Sequence, residues 1–94
     1  MENVEPENRV STIQEKLSSM TGVRLKVKAN MGRGRIMERE GTLMQAHPSL
    51  FVMEVDEKRG RKARQSHQYV DILTGTVELS DPETGEAVFD LSQN

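Results

Sequence analysis

Val23-Arg24-Leu25-Lys26-Val27-Lys28-Ala29 alternates apolar and basic residues without a break. Successive side chains of a β-strand point to opposite faces. This stretch is therefore a strand, with Val23, Leu25, Val27 and Ala29 facing a core and Arg24, Lys26 and Lys28 facing out. Everything else in the chain is read outward from it.

Upstream, Ser11 followed by Gln14 has the form of a capping box and predicts a helix starting near Ser11. Ile13, Leu17 and Met20 follow at helical spacing, and Gly22 can end the helix in a left-handed turn. A helix of two to three turns is not stable alone and must lay its stripe on the sheet. Downstream, Asn30 to Arg35 reads as a loop whose glycines permit positive φ. Ile36 to Ala46 reads as a long strand interrupted by Gly41, the kind of position where a sheet bulges or folds over itself. His47-Pro48-Ser49 turns the chain, and Leu50 to Val55 is a short apolar run fit for a central strand. Asp56 to Lys62 is a charged hairpin loop around Gly60, Ala63 to Val70 a polar strand, Asp71 to Gly75 a single tight turn, and Thr76 to Leu79 a last short strand. One helix, five strands, a long strand bent at a glycine and a one-turn element before the last strand predict a mainly β fold. The form expected is a small SH3-like five-stranded barrel preceded by one short N-terminal helix. Residues 1–10 are expected to be a frayed acidic N-terminus, residues 11–79 the helix and barrel, and residues 80–94 an acidic, flexible tail on which Val88, Phe89 and Leu91 can dock locally.

The 94 residues fit one domain with a small core, and only Phe51, Phe89 and Tyr69 are aromatic. Val, Leu, Ile and Met must fill that core, Met37, Met44 and Met53 among them. With no cysteine there is no disulfide and no thiolate metal site. No apolar run approaches the roughly 18 residues of a membrane span, and the acidic start of the chain lacks the pattern of a signal peptide. A cytoplasmic location is expected.

The net charge of −2 conceals an uneven distribution. Eleven of the thirteen bases but only five of the fifteen acids lie between Arg24 and Arg64, so that window carries +6 and the remainder −8. Two clusters stand out as candidate polyanion-binding or partner-binding residues. The first is Arg24, Lys26 and Lys28 on the strand, about 7 Å apart on one face, with Arg33 and Arg35 in the adjoining loop. The second is Arg59, Arg61, Lys62 and Arg64, with Lys58 beside them. Two readings compete: a surface for phosphates or an acidic partner, and a solvated surface neutralised by the acidic ends. Single-strand binders present exposed aromatic rings for base stacking. Here only Tyr69 and His67 qualify, so any nucleic-acid binding would be dominated by the phosphate backbone.

No constellation for catalysis emerges. Ser66 and His67 are adjacent on a strand and point to opposite faces, which separates them from Asp71 as a catalytic set. His47 and His67 lack metal-ligand spacing, and Gly32-Arg33-Gly34 is not a phosphate-cradling motif. No cofactor or metal is expected.

Several blocks of this chain resemble the Veg family of small bacterial proteins. They are Gly22-Val23-Arg24-Leu25-Lys26-Val27-Lys28-Ala29-Asn30, Glu38-Arg39-Glu40-Gly41-Thr42-Leu43, Pro48-Ser49-Leu50-Phe51-Val52 and Tyr69-Val70-Asp71-Ile72-Leu73-Thr74. The resemblance covers roughly Ser11 to Leu79. It implies a non-enzymatic stimulator of biofilm formation that acts on the expression of matrix genes, through a protein partner such as a transcription regulator. It also implies an SH3-like barrel. An Sm-like RNA-binding barrel shares the element order, and Gly41-Thr42-Leu43 fits its Gly-x-Leu, but His47-Pro48-Ser49 lacks the Asp and Asn of its base pocket. A homodimer suits a small barrel with charged faces, although nothing in the sequence fixes a symmetry.

Overall fold

The computed structural model describes residues 6–89. A helix, α1 (Pro6–Ser18), leads into β1 (Arg24–Gly32), β2 (Arg35–Ala46) and β3 (Leu50–Asp56). A single 3-10 turn, Lys58–Gly60, separates β3 from β4 (Lys62–Gln68). A short helix, α2 (Tyr69–Leu73), then carries the chain to β5 (Val77–Ser80). All strand pairs are antiparallel, and the five strands form one sheet in the order β4-β3-β2-β1-β5.

The alternation seen in the sequence governs which face of the sheet is buried. Leu25, Val27 and Ala29 of β1 meet Leu43 of β2, Phe51, Met53 and Val55 of β3, and Val77 and Leu79 of β5. Ile13 and Leu17 of α1, with Tyr69 and Ile72 of α2, complete the core. Leu17, Val27, Leu43, Phe51, Met53, Val55 and Tyr69 are all 0% exposed. Tyr69 keeps its hydroxyl satisfied by donating to the His47 carbonyl at 2.6 Å.

Gly41 is the pivot of the sheet. It lies opposite Leu25 on one side and Val55 on the other. A Cβ placed there would come within 2.8 Å of the Val55 Cα and closer still to the Glu54 carbonyl oxygen. Only a residue without a side chain lets β2 and β3 approach so closely. Three residues later the register slips between Leu43 and Gln45, so that Met44 is the extra residue of a bulge. Pairing of β2 with β3 runs only from Gly41 to Ala46, while pairing with β1 continues to Arg35.

Several expectations are corrected. Among the described residues the helix already runs from Pro6, ahead of Ser11. Gln14, expected to cap the helix start, instead donates to the Ser18 hydroxyl at 3.1 Å. So residues 6–10 of the segment expected to fray are helical, and Val10 packs against the core. Val23 is 41% exposed and not in the core, because its peptide belongs to the turn: its N–H donates to Met20 and its carbonyl accepts from Leu43. The tight turn expected at Asp71 to Gly75 is the helix α2, which starts two residues earlier at Tyr69.

The five-stranded, mainly β architecture is present, but the sheet is not closed into a barrel ring. β4 and β5 are its two edges and do not pair. Beyond β5 the chain turns back along it. Ser80 bridges to Ala87, and the Val88 N–H donates to the Leu79 carbonyl at 2.9 Å, so the outer edge of β5 is taken by the following segment. That segment is a turn organised by Asp81, whose carboxylate accepts from the N–H groups of Glu83 and Thr84. Val88 and Phe89 pack against the core, and Lys16 of α1 donates to the Val88 carbonyl while lying 5.1 Å from the Phe89 ring centre. Residues 80–89, expected to be flexible, thus have a defined place. Leu91 lies outside the described residues.

Candidate functional site

The register decides which cations are free. On the outer face Arg24, Lys26 and Lys28 stand in one row, as the alternation predicts. But Lys26 lies opposite Glu40 of β2, and Lys28 opposite Glu38 of β2 and Glu78 of β5. Arg24 bonds the Asp56 carboxylate at 2.6 Å and approaches Glu40 at 3.5 Å. Asp56 also holds Lys62 at 3.0 Å, and Glu54 faces Arg64 at 3.9 Å. The outer face is therefore a set of alternating stripes, basic on β4 and β1 and acidic on β3, β2 and β5. The Arg24 guanidinium, followed by the Lys62 ammonium, pulls the Asp56 carboxyl down to a pKa of about 2. Five of the nine candidate cations, Arg24, Lys26, Lys28, Lys62 and Arg64, thus lie among acids. The neutralisation comes mainly from acids on the neighbouring strands, with the end of the chain contributing Glu78.

The remaining cations gather at the hairpin ends. Arg33 and Gly34 form the two-residue loop between β1 and β2, with φ of 56° and 74°, as a type I′ hairpin turn requires. Arg59 and Gly60 repeat the arrangement between β3 and β4, with φ of 64° and 74°. Both tips thus expose an arginine held in the left-handed region. Arg39 of β2 lines a groove of about 310 Å³ together with Glu57, Lys58, Arg59 and Arg61 of the β3–β4 loop. Arg35 shares a face of β2 with Arg39, about 13 Å further along the strand. Arg33, Arg35, Arg39, Lys58, Arg59 and Arg61 form no ion pair among the described residues. Arg39 was not singled out from the sequence as a site residue. Arg39 sits at an inward-facing position of β2, opposite Val27, and only the early end of β3 pairing leaves it open.

His67 is half-buried on β4 beside Gln65, 3.2 Å away. Its ring packs 5.6 Å from that of Phe51, and burial pushes its pKa down, partly offset by the charge of Asp71. His47 bonds Gln45 at 2.9 Å in the turn. Phe51 and Tyr69 are buried, so neither offers a stacking platform to a nucleic-acid base. No cluster of His, Asp or Glu suited to a metal occurs among the described residues. Nor does any helix among them have the length and apolarity to cross a membrane.

The model of a family described as "Biofilm formation stimulator VEG" matches residues 8–80. The chain belongs to the Veg family. The match takes in all but the first two residues of α1 and all five strands, and stops at the end of β5, before the segment that covers the β5 edge. The Veg description names a role in biofilm formation and no reaction. Among curated proteins none matches the chain significantly.

Proposed function

We propose that this Veg-family chain is a non-enzymatic regulatory binding module of the cytoplasm. It stimulates expression of biofilm matrix genes through a protein partner such as a transcription regulator. The observation that carries the reading is the sorting of charge: acids on adjacent strands face the sheet's cations, while those at the hairpin ends form no ion pair among the described residues. A surface left uncompensated on an acidic protein is suited to an anionic partner. The test is a matrix-gene reporter in a strain that lacks the native gene and carries variants of it. Replacing Arg39, Arg59 and Arg61 with Ser should lower the reporter signal while the melting temperature stays within a few degrees. An unchanged signal overturns the assignment of this surface.

The same unpaired cations favour a second reading, phosphate-backbone binding to nucleic acid. Fluorescence anisotropy with labelled single- and double-stranded DNA and RNA across a salt series separates the two. Binding that weakens steeply with salt and disappears in the triple Ser variant supports the nucleic-acid reading. No binding at low salt removes it.

A further inference from the structure

β2 carries an unpaired edge beside the cationic groove. Asn30 donates its N–H to the Thr76 carbonyl on the β5 side. In an antiparallel ladder, alternate residues turn their peptide groups toward opposite neighbours. The partner of Asn30 across the pair is Ile36, so the Ile36 N–H and C=O point away from β1, and those of Glu38 do the same two residues on. For most of β2 this outward side is taken by β3, but that pairing begins only at Gly41. Ile36 and Glu38 therefore offer two N–H and two C=O groups with no strand beside them among the described residues. Natural sheets usually cover or blunt such an edge.

We infer that this edge is a strand-addition site for an extended acidic segment of a partner protein. The inference rests on the protein-partner reading above and names the surface and the chemistry of the occupant. A strand laid along residues 35–39 would have two faces. On one it would neighbour Arg35, Met37 and Arg39, with Arg59 and Arg61 lining the groove beyond Arg39. That face takes Asp or Glu. On the other it would neighbour Ile36, which is 57% exposed, and Glu38, which faces Lys28 of β1; a Val or Leu fits against Ile36. Main-chain bonds to Ile36 and Glu38 supply affinity and the alternating side chains supply selectivity. A second copy of the chain is a poorer occupant. Pairing β2 with β2 would set the Arg35 and Arg39 rows of two molecules against each other, and like charges opposed across strands repel. A nucleic-acid strand would use the arginines but leave the peptide groups and Ile36 without partners.

The probe is a fluorescent peptide alternating Glu and Val, with a version N-methylated at alternate residues so that it cannot donate to the edge. The expected result is binding to the full-length protein by anisotropy, with slowed amide exchange at Ile36 and Glu38. The methylated peptide should bind about tenfold or more weakly, from the loss of two main-chain bonds. Glu38→Pro should weaken the unmodified peptide similarly. The N–H it removes faces away from β1, and an edge position with that geometry tolerates proline. Equal affinity of the two peptides, or binding without protection at Ile36 and Glu38, overturns the inference. So does a concentration-dependent dimer in sedimentation that is abolished by Glu38→Pro, or an oligonucleotide that protects the same amides. In the reporter strain, a signal lost in the triple Ser variant but kept in Glu38→Pro sinks strand addition and leaves the partner reading standing. A signal kept in both also overturns the assignment of this cationic surface to the partner.

Discussion

Gly41 shows how much of the fold rests on one missing methyl group. The clash that a Cβ would meet is with backbone atoms of Glu54 and Val55, which cannot swing aside as a flexible side chain would. Gly41→Ala should therefore destabilise the protein by about 2–3 kcal/mol, in the range of overpacked cores, read as a lower urea midpoint at unchanged slope. The opposite sign is expected at the β1–β2 tip. Arg33 occupies the left-handed region at φ 56°, which costs an ordinary residue roughly 1 kcal/mol, and Asn-Gly is the pair this turn favours. Arg33→Asn should raise stability by about 0.5–1 kcal/mol in urea unfolding. A sequence less stable than a simple alternative at this tip keeps a cation where the partner surface is proposed, so the same substitution should weaken acidic-peptide binding while it strengthens the fold.

Among the elements, the outer face joins three strands through one carboxylate. Asp56 of β3 contacts Arg24 of β1 and Lys62 of β4. Its pKa falls from the ordinary 3.8 to about 2 on folding, so its contribution is complete above pH 3.8 and is lost as pH falls through about 2. Comparing wild type with Asp56→Asn by thermal melts between pH 5 and 2 isolates that contribution from those of other acids. The wild type should be the more stable at pH 5, with the gap narrowing toward pH 2. These pairs are exposed and screened, so the gap should also shrink with salt. The same stripes show where sequence reading succeeded and where it stopped. Alternation in residues 23–29 placed Leu25, Val27 and Ala29 inside, and the glycine in β2 marked the close approach, because both are local properties of a strand. The cationic row was visible too, but the acids opposite it were not. Which residue of β2 faces Lys26 depends on register, and register depends on a hairpin turn and a bulge that no single strand reveals. For the same reason the open edge at Ile36 and Glu38 was illegible: it exists only because β3 stops pairing at Gly41. The early start of α1 was missed because Ser11 and Gln14 imitate a cap within a helix that had already begun.

At the scale of the whole molecule, the open sheet poses the question of what keeps β5 from being a bare edge. The segment after β5 answers it locally. It bonds Leu79 through Val88, bridges Ser80 to Ala87, and ties α1 to the sheet through Lys16. A chain ended at Ser80 would lose these bonds together with the half-buried Val88 and Phe89 side chains. From the apolar area of two partly covered residues and one or two hydrogen bonds, the loss should be about 2–3 kcal/mol, visible as a lower melting temperature. The outward carbonyl and N–H of Leu79 would then stand free beside β1's pairing, and an uncovered strand edge invites association. The truncated protein should therefore show faster amide exchange in β5 and a melting temperature that depends on concentration, where the full chain shows neither. The Veg family match ends at this same strand, so the truncation also separates two kinds of contribution. Acidic-peptide binding at β2 should survive it, since β2 and the β3–β4 loop lie across β1 from β5 in the sheet order. Loss of that binding on truncation would mean that the two ends of the sheet are coupled through the core, and that the segment after β5 helps shape the hairpin end as well as cover an edge.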